Sequence, residues 1–229
     1  MLQKLLMLSN FLFLIKLIRV LKKYNILILI NKNIRFKLLF IFFTNLISMG
    51  VSYDRNHKNK SDGLRIAQAL NELGPSFVKL GQLISTRPDI VGNAIAEDLS
   101  LLRDNLPPFS RKTAIAIIEN EFGTNIENIF LQFSEPVAAA SIAQVHFAKI
   151  KSSNTEIDVA VKVLRPEIER TINQEMERLE WLTTFMENFT EFQRLRPNSI
   201  IKKAKEVIKF ELDLRYEAAA ASELSENTN

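Results

Sequence analysis

The organising stretch of this sequence reads Ala138-Ala139-Ala140-Ser141-Ile142-Ala143-Gln144-Val145-His146, and Val159-Ala160-Val161-Lys162-Val163 follows at close range. Runs rich in branched and aromatic residues at 129–133, 142–150 and 157–163 predict a three-stranded antiparallel meander. The small residues between the first two runs predict a tight loop. A small-residue loop followed by a strand that carries one lysine predicts the entrance of a nucleotide pocket.

Alternation along the third predicted strand places Ala160 and Lys162 on one face and three valines on the other. In an ATP pocket, Ala160 would lie under the adenine and the Lys162 ammonium would reach the phosphates. A lysine flanked by core valines is costly to bury unless it is paired, so we expect an acidic partner. The same residues also fit a strand with a solvated lysine.

The loop that precedes this strand contains alanines where a protein kinase carries glycines over the phosphates. Alanine still permits close approach of the backbone, but its Cβ forbids the left-handed conformations that glycine adopts. Ser141 adds a hydroxyl donor. A packed turn is the alternative interpretation of these alanines. His146 is expected to be a structural or hydrogen-bonding strand residue rather than a base.

Composition excludes several chemistries for the 229 residues. The absence of cysteine excludes disulfide scaffolds and thiol catalysis, and the presence of only two histidines argues against a histidine metal cluster. Of the formal net charge of +4, residues 1–53 contribute eight Lys or Arg and no acid, so the remainder carries −4. The positive excess therefore lies in the N-terminal segment.

The segment 1–53 contains apolar runs at 11–15, 26–30 and 38–43 that are interrupted by basic residues. None reaches the roughly 18–20 apolar residues of a spanning helix, and no cleavage site of a signal peptide is expected. An apolar stripe beside a basic stripe predicts either a helix on an anionic membrane surface, whose binding weakens with salt, or a helix packed on its own domain. Nucleic-acid binding is not expected, since no recognised module accompanies the basic residues. A polar linker, containing His57, is predicted at 54–61.

Helical periodicity predominates in residues 62–128. Asp62 is predicted to cap the first helix, Gly74 to end it, and Pro75 to begin the next. Lys79 and Gln82 fall on one face of that second helix, pointing away from much of its apolar surface.

After Arg165-Pro166 the sequence predicts a long helix, and then another from about Ser199 through residue 221. On this last helix Asp213 and Glu217 fall four residues apart on one face, with Glu211 about 200° round from Asp213. Such charges are usually a solvated face. Glu217 nevertheless follows the lysine strand on a helix, where a kinase carries the acidic partner of its lysine.

The chain resembles the atypical protein-kinase-like family called UbiB, ABC1 or ADCK, which is associated with ubiquinone (coenzyme Q) biosynthesis. Four features match in order: Phe77-Val78-Lys79-Leu80-Gly81-Gln82 resembles the Lys-x-Gly-Gln signature, 138–141 the alanine-rich loop, 159–162 the lysine strand, and Glu211-Leu212-Asp213 the Glu-x-Asp motif. Glu217 matches the helix glutamate. Four signatures in register are far more specific than any one of them.

The resemblance implies an α+β fold, with a protein-kinase-like N-lobe at 129–229 preceded by a helical extension at 62–128. It implies ATP and Mg²⁺ as cofactors, with the ATP bound through Ala138, Ala139, Ala140, Ser141, Ala160, Lys162 and Glu217. Lys79, Gly81, Gln82, Glu211 and Asp213 are expected to form a regulatory lid, with Lys79 near Glu211 or Asp213. The implied location is peripheral, at the cytoplasmic face of a membrane, with proteins of quinone biosynthesis as partners.

The sequence also departs from the family pattern. No His-Arg-Asp loop, downstream metal-binding Asn or Asp-Phe-Gly occurs in these 229 residues. We therefore expect the ATP-binding half of an atypical kinase or ATPase, with the C-lobe missing and neither a catalytic residue nor a metal ligand in this chain. The alternative is a truncated, catalytically inactive fragment or a membrane-surface interaction protein.

Overall fold

The computed structural model describes residues 2–28, 44–52, 59–102, 106–152 and 155–228. The predicted apolar run at 38–43, His57 and most of the predicted linker lie outside these residues. The chain divides into two compact units. The helical unit comprises residues 1–102 and 173–206, and the sheet unit comprises residues 103–172 and 207–229.

The described residues form ten α-helices, one 3-10 turn and three β-strands. In chain order they are α1 (Leu2–Lys23), α2 (Asp62–Leu73), α3 (Pro75–Ser85), α4 (Pro88–Val91), α5 (Asn93–Ser100), α6 (Arg111–Phe122), a 3-10 turn (Ile126–Asn128), β1 (Gln132–Ala139), β2 (Ala143–Ser152), β3 (Thr155–Leu164), α7 (Ile168–Met186), α8 (Thr190–Gln193), α9 (Pro197–Leu212) and α10 (Leu214–Thr228).

The helical unit is built on α2, α3 and α5, which bury Ala67, Leu99 and Leu102 together. The predicted cap of α2 was wrong by one residue: the Ser61 hydroxyl, not Asp62, accepts the hydrogen bond from the Leu64 amide, because the helix already begins at Asp62. Gly74 separates α2 from α3, as predicted. Its φ of 135° lies in the region that favours glycine.

Helix α1 packs in the helical unit through its C-terminal half. Lys16 Nζ donates to the Leu73 carbonyl at 3.0 Å, and Lys23 Nζ donates to Glu72 Oε2 at 2.6 Å. Ile18 is buried. For this half of α1 the structure therefore favours the packed-helix interpretation of the basic stripe. Among the described residues, no helix combines the length and apolarity needed to cross a membrane.

The sheet unit contains an antiparallel sheet in the order β1-β2-β3, which confirms the predicted meander. On one face of the sheet, Val163 packs with Ala114 and Ile118 of α6 and Val161 packs against them, so these two valines of the predicted face enter the core. The first strand differs from its prediction. It runs through Gln132–Ala139 rather than 129–133, because Ala138 and Ala139 pair with β2 instead of forming a loop.

Candidate functional site

The face of the sheet opposite to the α6 core carries the residues of the candidate site. Ala138 is paired with Val145, which is paired with Lys162, and Ala160 is paired with Phe147. Paired residues in an antiparallel sheet point to the same side, so these five side chains share one face, the exposed sheet face. The sheet thus brings together Ala138, Ala160 and Lys162.

Lys162 is paired with the glutamate that the sequence assigned to it. Its Nζ donates to Glu217 Oε2 at 2.5 Å, across 55 residues of sequence. The Lys162 side chain is 34% exposed and that of Glu217 is 62% exposed, so the pair is in reach of a ligand from solvent. Glu217 lies in the first turn of α10. An ammonium held by a carboxylate on an open face is poised to meet a phosphate oxygen.

The connection between β1 and β2 is a tight turn at residues 140–143, the alanine turn. The Ala140 amide donates to the Ala143 carbonyl at 2.8 Å. Ser141, within the turn, is only 1% exposed, and its hydroxyl has no hydrogen-bond partner in the structure. A buried hydroxyl without a partner is unfavourable, so this oxygen is an unmet donor at the end of the sheet.

The Glu-x-Asp residues lie where α9 gives way to α10. The predicted continuous helix was wrong, because α9 ends at Leu212 and α10 begins at Leu214. Asp213 lies between them and accepts from the Arg215 amide at 3.1 Å, as an N-cap residue does. Glu211 is exposed in the last turn of α9. Because of this break, the spacing of a single helix does not determine where Glu211 and Asp213 lie relative to Glu217.

Arg215 also binds the Asp213 carboxylate with two guanidinium nitrogens, at 2.8 and 2.6 Å. These hydrogen bonds from Arg215 hold the pKa of Asp213 below its ordinary value. Asp213 is therefore a fixed anion at the start of α10.

The Lys-x-Gly-Gln residues lie in the helical unit. Lys79 is only 9% exposed, so the face of α3 that carries it is buried together with Phe77 and Leu80. A Cβ on Gly81 would come within 2.4 Å of Leu102 and 2.7 Å of Leu70, so glycine permits this close approach. Gln82 donates to the Leu102 carbonyl at 3.4 Å. The approach of Lys79 to Glu211 or Asp213 stays a prediction.

Sequence reasoning missed Val145 and Phe147, which share the exposed sheet face with Lys162. Val145 is half-buried and Phe147 is 61% exposed. The signal was present in the sequence, since Ser152 pairs with Thr155 and leaves two residues between the strands. Because the pairs on either side of a short hairpin connection follow one after another, the Ser152–Thr155 pair fixes which residue of β2 lies opposite each residue of β3.

His146 is a buried strand residue that makes hydrogen bonds, as predicted. Its Nδ1 lies 2.9 Å from the Ser134 carbonyl and its Nε2 2.9 Å from Gln144 Nε2. Its ring stacks on Phe133 at 4.4 Å. Gln144 in turn binds both backbone groups of Phe109, at 3.0 and 3.3 Å. These contacts tie the segment before α6 to the sheet.

Comparison with protein families gives a match between residues 101–229 and the ABC1 atypical kinase-like domain. The matched residues include the sheet, the alanine turn, Lys162 and Glu217. The comparison thus agrees with an α+β fold of the kinase-like N-lobe type.

Curated relatives with similar sequences share one description. The chain is 44% identical over 174 residues to a probable protein kinase UbiB from Histophilus somni, covering 75% of this chain and 32% of the relative. It is 41% identical over 175 residues to that of Pseudomonas putida, covering 76% and 32%, and 41% identical over 180 residues to that of Pasteurella multocida, covering 75% and 34%. It therefore spans about a third of their length. No solved structure matches the chain.

Proposed function

Since this chain belongs to the ABC1 atypical kinase-like family, we propose that it binds ATP on the exposed sheet face, as the ATP-binding half of an atypical kinase or ATPase that supports ubiquinone biosynthesis. In this proposal residues 129–229 are the nucleotide-binding lobe and residues 62–128 supply the lid residues Lys79, Gly81 and Gln82. The two parts of the proposal differ in scope. Nucleotide binding concerns residues of this chain, and ubiquinone biosynthesis concerns the whole protein.

The observation that carries the proposal is the Lys162–Glu217 pair at 2.5 Å. A lysine oriented by a glutamate is the arrangement with which kinases hold the inner phosphates of ATP. Beside it, Ala160 and Val145 offer a small and an apolar side chain for the adenine. The sheet register supports this division, because Val145 lies opposite Lys162 and Ala160 lies two residues along β3.

The alanine turn supports the phosphate end of the proposed site. The turn joins β1 and β2 beside the Ala138–Val145 pair, and Val145 is in turn paired with Lys162. Ala138 is exposed on the same face as Lys162. Small side chains at this end allow a close approach of the ligand to the backbone.

The family implies Mg²⁺ together with ATP. Within the part of the chain that the structure describes, no group of three or more His, Asp and Glu side chains is arranged to hold a metal ion. In this proposal the described residues bind ATP through Lys162 and the exposed sheet face, and none of them is assigned as a ligand of Mg²⁺. Bound Mg²⁺ would neutralise charge on the phosphates.

Nucleotide titration of the 229-residue chain tests the proposal. We expect Lys162→Met to weaken ATP binding by about tenfold or more, since a charged hydrogen bond is worth roughly 1.5–3 kcal/mol. Lys149→Met is the matched control, because Lys149 lies on the same sheet face and has its own partner, Asp158, at 3.2 Å. Calorimetry at constant ionic strength measures both affinities.

Two outcomes would contradict the proposal: equal loss of affinity in the two variants, or no ATP binding by the unsubstituted chain. ATP turnover measured with the same protein addresses the alternative of an inactive fragment. Turnover that depends on Lys162 would exclude this alternative.

A second observation favours contact with a membrane surface. Met7, Leu8, Phe11 and Leu12 of α1 are 68%, 55%, 53% and 57% exposed. All charged side chains in residues 1–53 are basic, so a membrane surface with anionic lipid suits both these residues and the apolar row. Since Lys16 and Lys23 make bonds within the helical unit, we propose that the apolar row, rather than the basic stripe, supplies most of the affinity.

Vesicle sedimentation tests this second candidate with phosphatidylcholine vesicles, with and without phosphatidylglycerol. We expect Phe11→Ser to reduce binding about tenfold, because burial of a large apolar side chain is worth about 1.5–3 kcal/mol. Leu195→Ser, at a 62% exposed leucine of the same unit, is the control. Binding that is abolished by salt would favour the basic stripe instead.

A further inference from the structure

Arg165 directly follows β3, and its side chain joins two separate segments of the sheet unit. Its Nε donates to the Ala140 carbonyl at 2.9 Å. The two terminal nitrogens donate to the Pro107 and Leu106 carbonyls at 3.1 and 3.2 Å. One guanidinium therefore holds the first residue of the alanine turn against the segment that precedes α6.

The backbone of Arg165 also makes a hydrogen bond to the alanine turn. Its amide donates to the Ile142 carbonyl at 2.9 Å. Ala140 and Ile142 flank Ser141, so the two bonds fix the turn on both sides of that residue. A turn held in this way has no need of the free backbone rotation that glycine would provide.

The segment that supplies the other two acceptors is itself fixed. The amide and carbonyl of Phe109 both bind Gln144, whose side chain is 1% exposed, and Gln144 contacts His146. The Arg165 guanidinium also lies over the Phe109 ring, 5.8 Å from its centroid. The turn cannot move relative to this segment without breaking the hydrogen bonds of Arg165, which are partly buried at Ala140 and exposed at Pro107 and Leu106.

The side-chain hydrogen-bond acceptors of Arg165 are three neutral carbonyls. Burial lowers the pKa of this guanidinium from its ordinary value, but arginine remains charged at any physiological pH. Its positive charge is therefore not neutralised by these bonds. A half-buried charge of this kind favours an anion nearby.

We propose that Arg165 is the positioning residue of the alanine turn for the phosphate end of the nucleotide. It holds the turn in one conformation through Ala140 and Ile142, from the side of the sheet on which Phe109 lies. This inference rests on the proposed function and adds a residue outside the alanine, lysine and glutamate signatures. It assigns to Arg165 a role that acts through the turn rather than through contact with the reacting atoms.

The test compares ATP with adenosine by calorimetry, well below the melting temperature of each variant. We expect Arg165→Met to weaken ATP binding about tenfold and adenosine binding less than about twofold, because the lost bonds act on the alanine turn at the phosphate end. Arg165→Lys keeps a side-chain donor without the planar fork and should restore part of the ATP affinity. Arg170→Met is the control, since Arg170 is 74% exposed and forms an exposed ion pair with Glu167, at 3.5 Å.

Amide hydrogen exchange provides a measurement that does not depend on ligand. The Ala140 amide, which donates to Ala143 within the turn, should exchange faster in Arg165→Met than in Arg170→Met. If the unsubstituted chain binds no ATP, the proposed function fails and the exchange rate still tests the hold on the turn. Unchanged exchange, or equal losses for ATP and adenosine, would overturn the inference about Arg165.

Discussion

The two compact units place their signature lysines in opposite surroundings. Lys162, in the sheet unit, lies on an open face and pairs with Glu217. Lys79, in the helical unit, is nine-tenths buried. The sequence around Lys162 predicted its face and its partner, whereas the spacing on α3 did not predict the burial of Lys79.

The difference arises from the geometry of the two kinds of element. A strand in a sheet has only two faces, and one face here carries the valines that pack on α6, so the other face is fixed. A helix has a continuous surface, and its exposure depends on every neighbouring helix. The position of a polar residue on a helix therefore predicts its solvent exposure less well than its position on a strand does.

The largest expected effects come from truncating the two cores. Ile118→Ala in the sheet unit and Leu99→Ala in the helical unit should each lower the free energy of unfolding by about 2–5 kcal/mol, because each buried side chain leaves a cavity. Urea unfolding, read with amide exchange in each unit, would show whether the two cores contribute equally.

Exposed residues of the same types serve as controls for these truncations. Ile157→Ala on β3 and Leu101→Ala after α5, at 42% and 60% exposure, should change stability by no more than about 0.5 kcal/mol. A core variant as mild as its control would show that the corresponding unit is not packed as described.

Smaller effects are expected from the ion pairs of the two units. Double-mutant cycles should give coupling energies of about 0.2–1 kcal/mol for Lys162–Glu217 and for Lys23–Glu72, since both pairs are partly exposed. Lys23–Glu72 should be the stronger pair, because the Tyr24 hydroxyl also donates to Glu72, at 2.8 Å. The reverse order would contradict this ranking. Couplings that survive high salt unchanged would contradict the partial exposure of the two pairs.

The smallest expected effects concern two carboxylates with lowered pKa values. Burial alone would raise the pKa of Glu72, but hydrogen bonds from Lys23 and Tyr24 bring it below its ordinary value of 4.5. Hydrogen bonds from Arg215 likewise lower the pKa of Asp213. A lowered folded-state pKa stabilises the fold above the unfolded pKa, and this stability is lost as pH falls through the folded pKa.

Carboxyl NMR titration of variants checks both assignments. Lys23→Met should raise the pKa of Glu72, and Arg215→Met should raise that of Asp213, toward their ordinary values. Each substitution should leave the carboxylate of the other unit unchanged. If either pKa stays where it is, the named partner is not its cause.

The sequence predicted the parts of the fold that depend on local periodicity and on strong terminators. The meander, the valine face and the glycine between α2 and α3 are of this kind. The pairing of Lys162 with Glu217 was also predictable, because a lysine beside core valines needs an acid and the family pattern indicated which one. Its role in binding nucleotide stays a prediction.

The remaining features depend on contacts between residues distant in sequence. The helix break at Asp213 could not be predicted from spacing, because the bonds from Arg215 outweigh the helical propensity of the neighbouring residues. The bonds of Arg165 join residues 25 and 58 or more positions apart, so no local pattern indicates them. The burial of Lys79 likewise follows from the packing of whole helices.

Both units are discontinuous in sequence, and this has a consequence for biosynthesis. The helical unit receives residues 173–206 only after the sheet strands have been made, and Ser76 meets its partner Glu175 across 99 residues. The sheet unit receives Glu217 55 residues after Lys162. During synthesis, neither unit can therefore complete its packing until later segments have emerged from the ribosome, and the order of emergence exposes partly formed cores to aggregation or to a chaperone.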